Sequence, residues 1–420
     1  MRAFYQILKL ELISAIRSKT MLVFAIASTL WMILGRYILK GEASGMYQLS
    51  VRYLLGLLFS LVLISLGAAA AGTLSSDRVN KRLQLSMIRP VPHFVIAMAR
   101  SVAITLLGSL VLSLALVVLW AFEGRDKSCA RVYSPKVEEP RKAAEEAFRK
   151  MIEAPDAKSK DLKAKVAEFG EGPFIKYLED YIRDEYVIVQ PNTTESWVFD
   201  GVPEGAKNIG VRVRFVNFMG IPGSVLGNFT FRDFSGVINK PIKSRFYLPL
   251  DSTISTKSDS SSNLSFTNKT DIPLRLRIRK DLHLLVDADS FAWNAFRSWL
   301  VMTFVLMIVV SLGVFFGSCL GRGVAVFSVI SLLIAMTVSP STIEDYPNPA
   351  ELNFVSYCSL RISEFSAIVT SPVSKFSPIS SLEESECIEW SVVGEAIMAG
   401  VFYLLLFSVL SGFTMSRKQE

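Results

Sequence analysis

The sequence predicts a polytopic α-helical membrane protein. It has six transmembrane helices, an N-terminal interfacial helix and an extracytoplasmic α+β domain with a part resembling a β-sandwich or jelly roll. Two observations lead to this fold class. Apolar residues gather in blocks near both ends of the 420-residue chain, and a polar block lies between them. Lys and Arg are also distributed unevenly among the segments that join the apolar blocks.

The composition excludes several classes of protein. The mean hydropathy of +0.39 and the block pattern exclude an ordinary soluble enzyme, a disordered chain and a disulfide-stapled miniprotein. Two histidines, His93 and His283, fall on opposite sides of the expected membrane, so they cannot share a catalytic or metal site. The sequence has no phosphate-binding loop of the form G-x-x-x-x-G-K-[ST]. We therefore expect a non-catalytic membrane subunit with no cofactor of its own.

Six segments are apolar enough to cross a bilayer, whose hydrocarbon core of about 30 Å needs about 20 helical residues. They are Met21–Leu39, Tyr53–Leu74, Ala99–Phe122, Phe291–Cys319, Val324–Val338 and Val392–Phe413. The fifth is short. Met21–Leu39 is too long for a secretory signal, and no small-residue cleavage site follows it.

Basic residues then set the orientation. One set of connecting segments (1–20, 75–100, 318–323 and 416–420) holds twelve Lys and Arg against three Asp and Glu. The rest of the chain outside block 123–290, with the residues of the spans included, holds six against ten. Because Lys and Arg are retained in the cytoplasm, we expect both termini there, block 123–290 outside, and a location in the cell inner membrane. The net charge of +7 then reflects topology and needs no nucleic-acid partner.

The chain is expected to divide into three parts. Residues 1–122 hold the interfacial helix and three spans, with a cytoplasmic loop at 75–96. Residues 123–290 form the outer domain, helical over 138–186 and β-rich over 187–287. Residues 291–420 hold the last three spans and an outer segment at 339–390, which is too polar to span and is expected to pack at the outer interface.

The outer domain is long enough to bury its own core. Helical patterns cover Pro140–Glu153, Ala157–Phe169 and Phe174–Tyr186. Alternating apolar and polar residues then predict short strands. These strands are expected at 211–216 and 274–279, and near Tyr186–Val189, Trp197–Phe199, Asn228–Phe231, Phe246–Leu248 and Leu264–Phe266. Short strands with Gly, Pro, Asn and Ser turns favour a sandwich or jelly roll.

Several outer residues have two interpretations each. The arginines Arg212, Arg214, Arg275, Arg277 and Arg279 form either a solvated sheet face or a surface for an acidic glycan, a lipid headgroup or a protein partner. Glu395, near the outer end of the sixth span, is either a functional group at membrane depth or an interfacial residue. Cys358 and Cys387 bracket the outer segment and either form a disulfide or stay as thiols.

Two cytoplasmic segments are distinctive. Residues 1–20 carry apolar side chains at helical spacing (Phe4, Ile7, Leu8, Leu12 and Ile16), and Arg2, Lys9, Glu11, Arg17 and Lys19 occupy the remaining turn. This predicts an interfacial helix, the alternative being a positive anchor for the first span. In loop 75–96, Asp77 is expected near the start of a short helix that Pro90 and Pro92 end. The glycines of 317–323 are interpreted as helix-packing positions.

These segments carry a resemblance to a known family. The residues are Leu8-Lys9-Leu10-Glu11 and Ile16-Arg17-Ser18-Lys19 before the first span, and Gly72-Thr73-Leu74-Ser75-Ser76-Asp77-Arg78 and Ile88-Arg89-Pro90-Val91 around the loop. With six spans, they resemble the permease subunits of type-2 ABC exporters. In that family an acidic residue, more often Glu than the Asp77 found here, precedes basic residues and a Pro-Val turn. The large outer domain is absent from the simplest members.

The resemblance implies both partners and function. A coupling helix that touches the ATPase would contain Asp77, Arg78, Lys81, Arg82, Arg89 and Pro90. The outer segment at 339–390 would be re-entrant. The partners would be an ABC ATPase subunit that binds ATP and magnesium, a second permease copy or paralogue, and membrane lipid. The expected function is export of a lipid, an amphiphile or a polymer. The alternative is an ABC-coupled mechanotransmitter or an envelope receptor or scaffold, which moves its outer domain without transporting a substrate.

Overall fold

The structure is a computed structural model that describes residues 2–17, 19–38, 50–79, 91–124, 128–136, 140–153, 175, 187–203, 206, 208–217, 224–241, 245–252, 263–343, 376 and 378–417. The chain divides into two compact units. The first unit comprises Met1–Cys129 and Asp289–Glu420, and the second comprises Ala130–Ala288.

The first unit is helical. Its described helices are α1 (Arg2–Arg17), α2 (Lys19–Ile38), α3 (Gly56–Val79), α4 (His93–Leu119), α7 (Phe291–Cys319), α8 (Arg322–Ile343), α9 (Pro378–Glu383) and α10 (Trp390–Arg417), with π-helical turns at Ser50–Leu55 and Trp120–Gly124. The second unit adds two helices, α5 (Pro140–Glu153) and α6 (Ile278–Asp281). Of the predicted outer-domain helices, Pro140–Glu153 is confirmed, and the other two lie outside the described residues apart from position 175.

Four segments are long and apolar enough to cross a membrane: Val51–Thr73, His93–Phe122, Phe291–Cys319 and Trp390–Arg417. The predicted first and fifth spans correspond to shorter apolar stretches, Ile26–Gly35 and Arg322–Ile334. The predicted combination of membrane helices with a β-rich region is confirmed at this level.

Helix α7 is the centre of the first unit, with 72% of its apolar window buried against 33% for α10. It lies closest to α3. A Cβ at Gly313 would lie 2.5 Å from the carbonyl oxygen of Gly67, and one at Gly317 would lie 2.5 Å from that of Ala71. Two small residues four apart on each helix therefore bring the backbones into contact, as in the small-xxx-small motif. The packing role expected for 317–323 is confirmed at Gly317 but not at Gly321 and Gly323, where a Cβ would meet nothing within 4 Å.

Contacts at two or more levels define the helix directions. Helices α7 and α10 run parallel, because Phe315 stacks on Phe407 and Ser318 hydrogen-bonds Thr414 further along both helices. Helices α3 and α7 also run parallel, as the pairing of Gly67 with Gly313 precedes that of Ala71 with Gly317.

Helices α4 and α8 run the opposite way. As residue numbers rise along α4, the contacting residues on α7 have lower numbers. Gly108 contacts Leu306, Ser109 contacts Trp299, and Trp120 lies beside Ala292. Along α3 the neighbours on α8 likewise fall from Val329, at Gly67, to Val326, at Gly72. Helices α3, α4, α7, α8 and α10 therefore alternate in direction along the chain.

The second unit is built on antiparallel strands. They are β1 (Ser128–Tyr133), β2 (Val187–Val189), β3 (Thr194–Val198), β4 (Ile209–Arg214), β5 (Val216–Asn217), β6 (Ser224–Phe231), β7 (Phe234–Pro241), β8 (Arg245–Ser252), β9 (Asn263–Asn268), β10 (Leu274–Leu276) and β11 (Leu282–Ser290). An eight-stranded sheet has the order β1-β11-β4-β8-β7-β6-β9-β3, and a three-stranded sheet has the order β2-β10-β5. The β-rich prediction is confirmed, and the jelly roll stays a prediction.

A shared core joins the two sheets. Phe266 packs on Phe215 and Phe229, with ring centroids 4.8 and 4.5 Å away. The fully buried Asn268 of β9 donates to the carbonyl oxygen of Val189 in the small sheet. A buried amide must find partners, so this side chain fixes one sheet against the other.

The strand predictions were partly wrong. Strands were found at every expected position, but β1, β7 and β11 were not predicted. In β7, Gly236 and Lys240 interrupt the apolar alternation, and in β11 the neighbours Leu284 and Leu285 are both buried. The strand expected over 274–279 ends at Leu276, because the next residues form the single helical turn of α6.

Candidate functional site

Four helix ends that the sequence predicts to be cytoplasmic lie together at one end of the helix bundle. The last part of α3 meets the start of α8, where a Cβ at Gly72 would lie 3.7 Å from Nε of Arg322. The last part of α10 meets the start of α4, where a Cβ at Gly412 would lie 2.9 Å from the amide nitrogen of Phe94. We call this the basic end, because Arg100, Arg322 and Arg417 all lie within two or three turns of it.

A buried ion pair attaches α1 to the basic end. Arg100 of α4 is 8% exposed, and its Nε and Nη2 donate to Oε1 of Glu11 at 3.1 and 2.6 Å. The contacting face of α1 comprises Phe4, Ile7, Leu8, Glu11 and Leu12, all half-buried. Our assignment of Glu11 to the polar face was therefore wrong, because the attraction of Arg100 outweighs the solvation that a carboxylate gains elsewhere on the helix.

Removing one partner of this pair is expected to be costly. Glu11→Ala removes the carboxylate from a buried guanidinium. Because the side chain of Glu11 is 30% exposed, the expected loss is about 1–3 kcal/mol, which is less than for a fully buried pair. We expect a lower melting temperature for the purified, detergent-solubilised chain. The double variant Glu11→Leu/Arg100→Met replaces both partners by apolar groups and is expected to recover most of the loss. Lys9→Ala, at an exposed position of α1, is the control. Equal melting temperatures for Glu11→Ala and Lys9→Ala would contradict the pair.

Of the predicted coupling residues, Asp77 and Arg78 lie at the same end. Helix α3 continues through Asp77 and Arg78 to Val79. Asp77 therefore lies in the last turns of α3, and the expectation that it begins a separate helix was wrong. Lys81, Arg82, Arg89 and Pro90 lie outside the described residues, as do the side chains of Asp77 and Arg78. Arg17 ends α1 and Lys19 begins α2.

The opposite end of the bundle is held by covalent and polar contacts. Cys129 is bonded to Cys387, with the Cα atoms 5.2 Å apart. The side chain of Asn294 in α7, which is 1% exposed, donates to the carbonyl oxygen of Glu386 and accepts from the amide of Ile388. One turn further, Arg297 donates to the carbonyl oxygen of Ile388. We call this set the outer clamp, because it attaches residues 386–388 to α7 and to the strand that follows α4.

The outer clamp corrects the predicted disulfide. Cys387 pairs with Cys129 rather than with Cys358, which lies outside the described residues. Sequence proximity favoured Cys358, but Cys129 follows α4 directly and α4 packs beside α7, so the tertiary fold brings it to Cys387.

The predicted arginine row is divided among several elements. Arg212 and Arg214 lie on β4, Arg275 lies on β10, Arg279 lies in α6, and all four are half-buried. Nε of Arg277 contacts Asp281 at 2.8 Å, within one helical turn. The row is therefore not a single exposed face of one strand.

Tyr247 in the sheet and Glu395 in α10 differ in their surroundings. Tyr247 lies opposite Arg212 in the eight-stranded sheet, and its pKa is raised first by burial and then by the charge of Asp287. Glu395 lies on the exposed face of α10, whereas Val393, Ala396 and Gly400 face the bundle.

Sequence reasoning missed Arg100, Asn294, Arg297 and Cys129. A usable signal existed for the first three, because each is a polar or charged residue inside or beside an apolar span. Such residues are expensive in a membrane and usually face a protein partner. Their partners Glu11, Glu386 and Ile388 lie 89 to 94 residues away in sequence, and no local pattern points to them.

Comparisons with protein-family models, with curated proteins and with solved structures find no match for this chain.

Proposed function

We propose that this chain is the membrane subunit of a type-2 ABC exporter, coupled to a separate ATPase and exporting a lipid, an amphiphile or a polymer. One observation carries the proposal. The amphipathic helix α1 is attached by the Glu11–Arg100 pair to the end of the bundle where α3 ends, at Asp77–Val79, and α4 begins, at His93. A force applied to the connection between α3 and α4 would therefore reach α4 through rigid helices and an ion pair.

The alternating helix directions support six crossings. Since α7 and α10 run parallel, the chain must return between Cys319 and Trp390, and α8 runs antiparallel to α3 and α7. The Cys129–Cys387 disulfide requires the same return, because both cysteines must face one oxidising compartment. Helix α8 is therefore proposed as the fifth crossing despite its short apolar stretch, and α2 as the first.

A pathway, in this proposal, lies between two copies of the chain. Within one copy, α3 and α7 are in backbone contact at Gly67 and Gly313, which leaves no room for a solute there. Helix α10 carries large exposed apolar side chains such as Met398, Phe402 and Phe413. Two-fold pairing is the commonest way for such a subunit to complete a pathway.

The proposal is tested by co-purification. The tagged chain is solubilised from its own membranes in a mild detergent, and the proteins that follow it are identified by mass spectrometry. We expect an ATPase with a phosphate-binding loop to co-purify. The triple variant Arg78→Glu/Lys81→Glu/Arg82→Glu is expected not to co-purify with the ATPase. Its three negative charges would repel the acidic surface that is proposed to contact these basic residues.

A matched control separates this effect from net charge. Lys142→Glu/Lys240→Glu/Lys269→Glu makes the same charge change at exposed positions of the second unit and is expected to keep the ATPase. If no ATPase follows the wild-type chain, or if both triple variants lose it equally, the exporter proposal fails.

The closed contact between α3 and α7 also favours a second candidate, a mechanotransmitter that moves its outer domain without transport. The two candidates separate once an ATPase partner is found. Stimulation of ATP hydrolysis by a transported lipid or amphiphile supports the exporter, whereas stimulation only by an envelope protein that binds residues 130–288 supports the mechanotransmitter.

A further inference from the structure

A groove of about 360 Å³ lies between α4 and α7, on the side of the bundle that carries the outer clamp. Each helix contributes one face at i, i+3, i+4 and i+7 spacing. These residues are Ser113, Leu116, Val117 and Trp120 from α4 and its π turn, and Ala292, Ala295, Phe296 and Trp299 from α7. We call this the α4–α7 groove.

Small residues keep the groove open while aromatic residues form its wall. Ala292 and Ala295 leave the space that a larger side chain would fill. Along α7, Trp293 packs edge-on against Phe296, and Phe296 stacks on Trp299, with centroids 5.9 and 5.8 Å apart. The groove is therefore a trough with a rigid aromatic side.

Two of the three polar side chains of the lining are bonded to the helices, and the third, Trp120, lies at the exposed end of the groove. The indole N–H of Trp299 donates to the carbonyl oxygen of Ser109 at 2.9 Å, and the hydroxyl of Ser113 donates to that of Leu110 at 2.8 Å. Neither group is left to select a polar ligand. A hydrated or charged ligand would lose its water here without compensation.

We infer that the α4–α7 groove binds one acyl chain of a bilayer lipid. Both lining segments, His93–Phe122 and Phe291–Cys319, are long and apolar enough to span a membrane, so the groove opens onto hydrocarbon. Trp120 and Trp293, 41% and 57% exposed, lie at the end of the groove where each helix leaves the apolar window. Tryptophan prefers the level of the lipid headgroups. The chain therefore enters from the leaflet on the side of the Cys129–Cys387 disulfide.

The shape of the groove determines the preference for a straight chain. A lipid tail leaves one hydrocarbon environment for another, so dispersion contacts and not the hydrophobic effect decide what is retained. A flexible alkyl chain can follow a trough between two helices and contact the flat aromatic faces along it. This site goes beyond the exporter proposal and does not depend on an ATPase.

The test uses the full chain without any partner. The protein is purified in detergent, mixed with a few equivalents of a phospholipid that carries a diazirine on one acyl chain, and irradiated. Detergent covers the general apolar surface, so only retained lipid is labelled. We expect peptide mapping to find the label on residues 113–120 and 292–299, and native mass spectrometry to find one lipid per chain.

Two groove variants and one control make the result specific. Val117→Trp fills the groove from its exposed rim, where Val117 is 57% exposed, and is expected to lose most of the label. Ala295→Trp fills the floor and is expected to do the same if the variant retains its disulfide and elutes as a single species. Leu61→Trp, on the exposed side of α3, is expected to label like the wild type.

Two outcomes would overturn the inference. One is label spread equally over the groove peptides and the exposed face of α10, which would indicate general surface lipid only. The other is an unlabelled groove together with cross-linked dimers of Val117→Cys, which would show that a second copy occupies it. Neither outcome bears on whether an ATPase co-purifies, so the two proposals stand or fall separately.

Discussion

Gly313→Val is expected to destabilise the helix bundle strongly. The new Cβ would lie 2.5 Å from the carbonyl oxygen of Gly67, and the obstacle is backbone in the middle of a helix that cannot rotate away. Overpacking of a tight core costs about 1–3 kcal/mol, and α3 and α7 would have to separate along their whole contact. Gly317→Val meets the carbonyl oxygen of Ala71 in the same way, so the double variant is expected to yield little folded protein.

The measurement is thermal stability in detergent, followed by the amount of monodisperse protein after heating. Gly394→Val provides the matched control, because a Cβ at this position of α10 meets nothing within 4 Å. Its effect is limited to the helix-propensity difference between Gly and Val, which favours Val by about a few tenths of a kcal/mol. Similar melting curves for Gly313→Val and Gly394→Val would rule out the backbone contact of α3 with α7.

Removal of the Cys129–Cys387 disulfide is the second large expected effect. It closes a loop of 258 residues, and loss of a native disulfide typically costs about 2–5 kcal/mol. We expect Cys129→Ser/Cys387→Ser to melt at a lower temperature than the wild type. Some order at residues 386–388 is expected to remain, because Asn294 and Arg297 still bind their backbone. Asn294→Ala is therefore expected to lower the melting temperature more in the cysteine variant than it does in the wild-type chain.

Peptide mapping without reduction tests the pairing itself. The expected linked peptides contain Cys129 and Cys387, and Cys358→Ser is expected to leave that link and the melting temperature unchanged. Cys319, which is not part of a disulfide, is a second control, since Cys319→Ser removes a thiol without removing a disulfide. A link between Cys358 and Cys387 in the wild type would refute the clamp.

Much of the fold could be predicted from periodicity and composition. The apolar run Phe291–Cys319 is long enough to predict a membrane helix, and the alternation in Ile209–Arg214 predicts a strand with one buried face. Both patterns can be seen within a short stretch of sequence. Strand β7 and the single turn of α6 could not be predicted in this way. Their conformations depend on pairing with β6 and on the bond from Arg277 to Asp281.

The candidate site was also only partly predictable from local sequence patterns. The amphipathic spacing of α1 predicted a helix with one packed face, but the role of Glu11 depended on Arg100, which is 89 residues away. The arginines were predicted on two strands, at 211–216 and 274–279, yet Arg279 lies in the helical turn α6 and β4 and β10 belong to different sheets. Local patterns report which faces are apolar, and they do not report which polar groups meet.

The sequence by itself determined that this is a membrane protein with a β-rich insertion, because hydropathy and alternation act over windows of a few residues to a few tens of residues. Only the tertiary structure decided that Cys387 pairs with Cys129, that the half-buried Glu11 pairs with Arg100, and that Gly67 and Ala71 of α3 lie against Gly313 and Gly317 of α7. Each of these contacts joins residues that are distant in sequence. The packing of whole helices determines which of these residues contact each other. The packing free energy of the whole bundle offsets the chain entropy that is lost on closing such long loops.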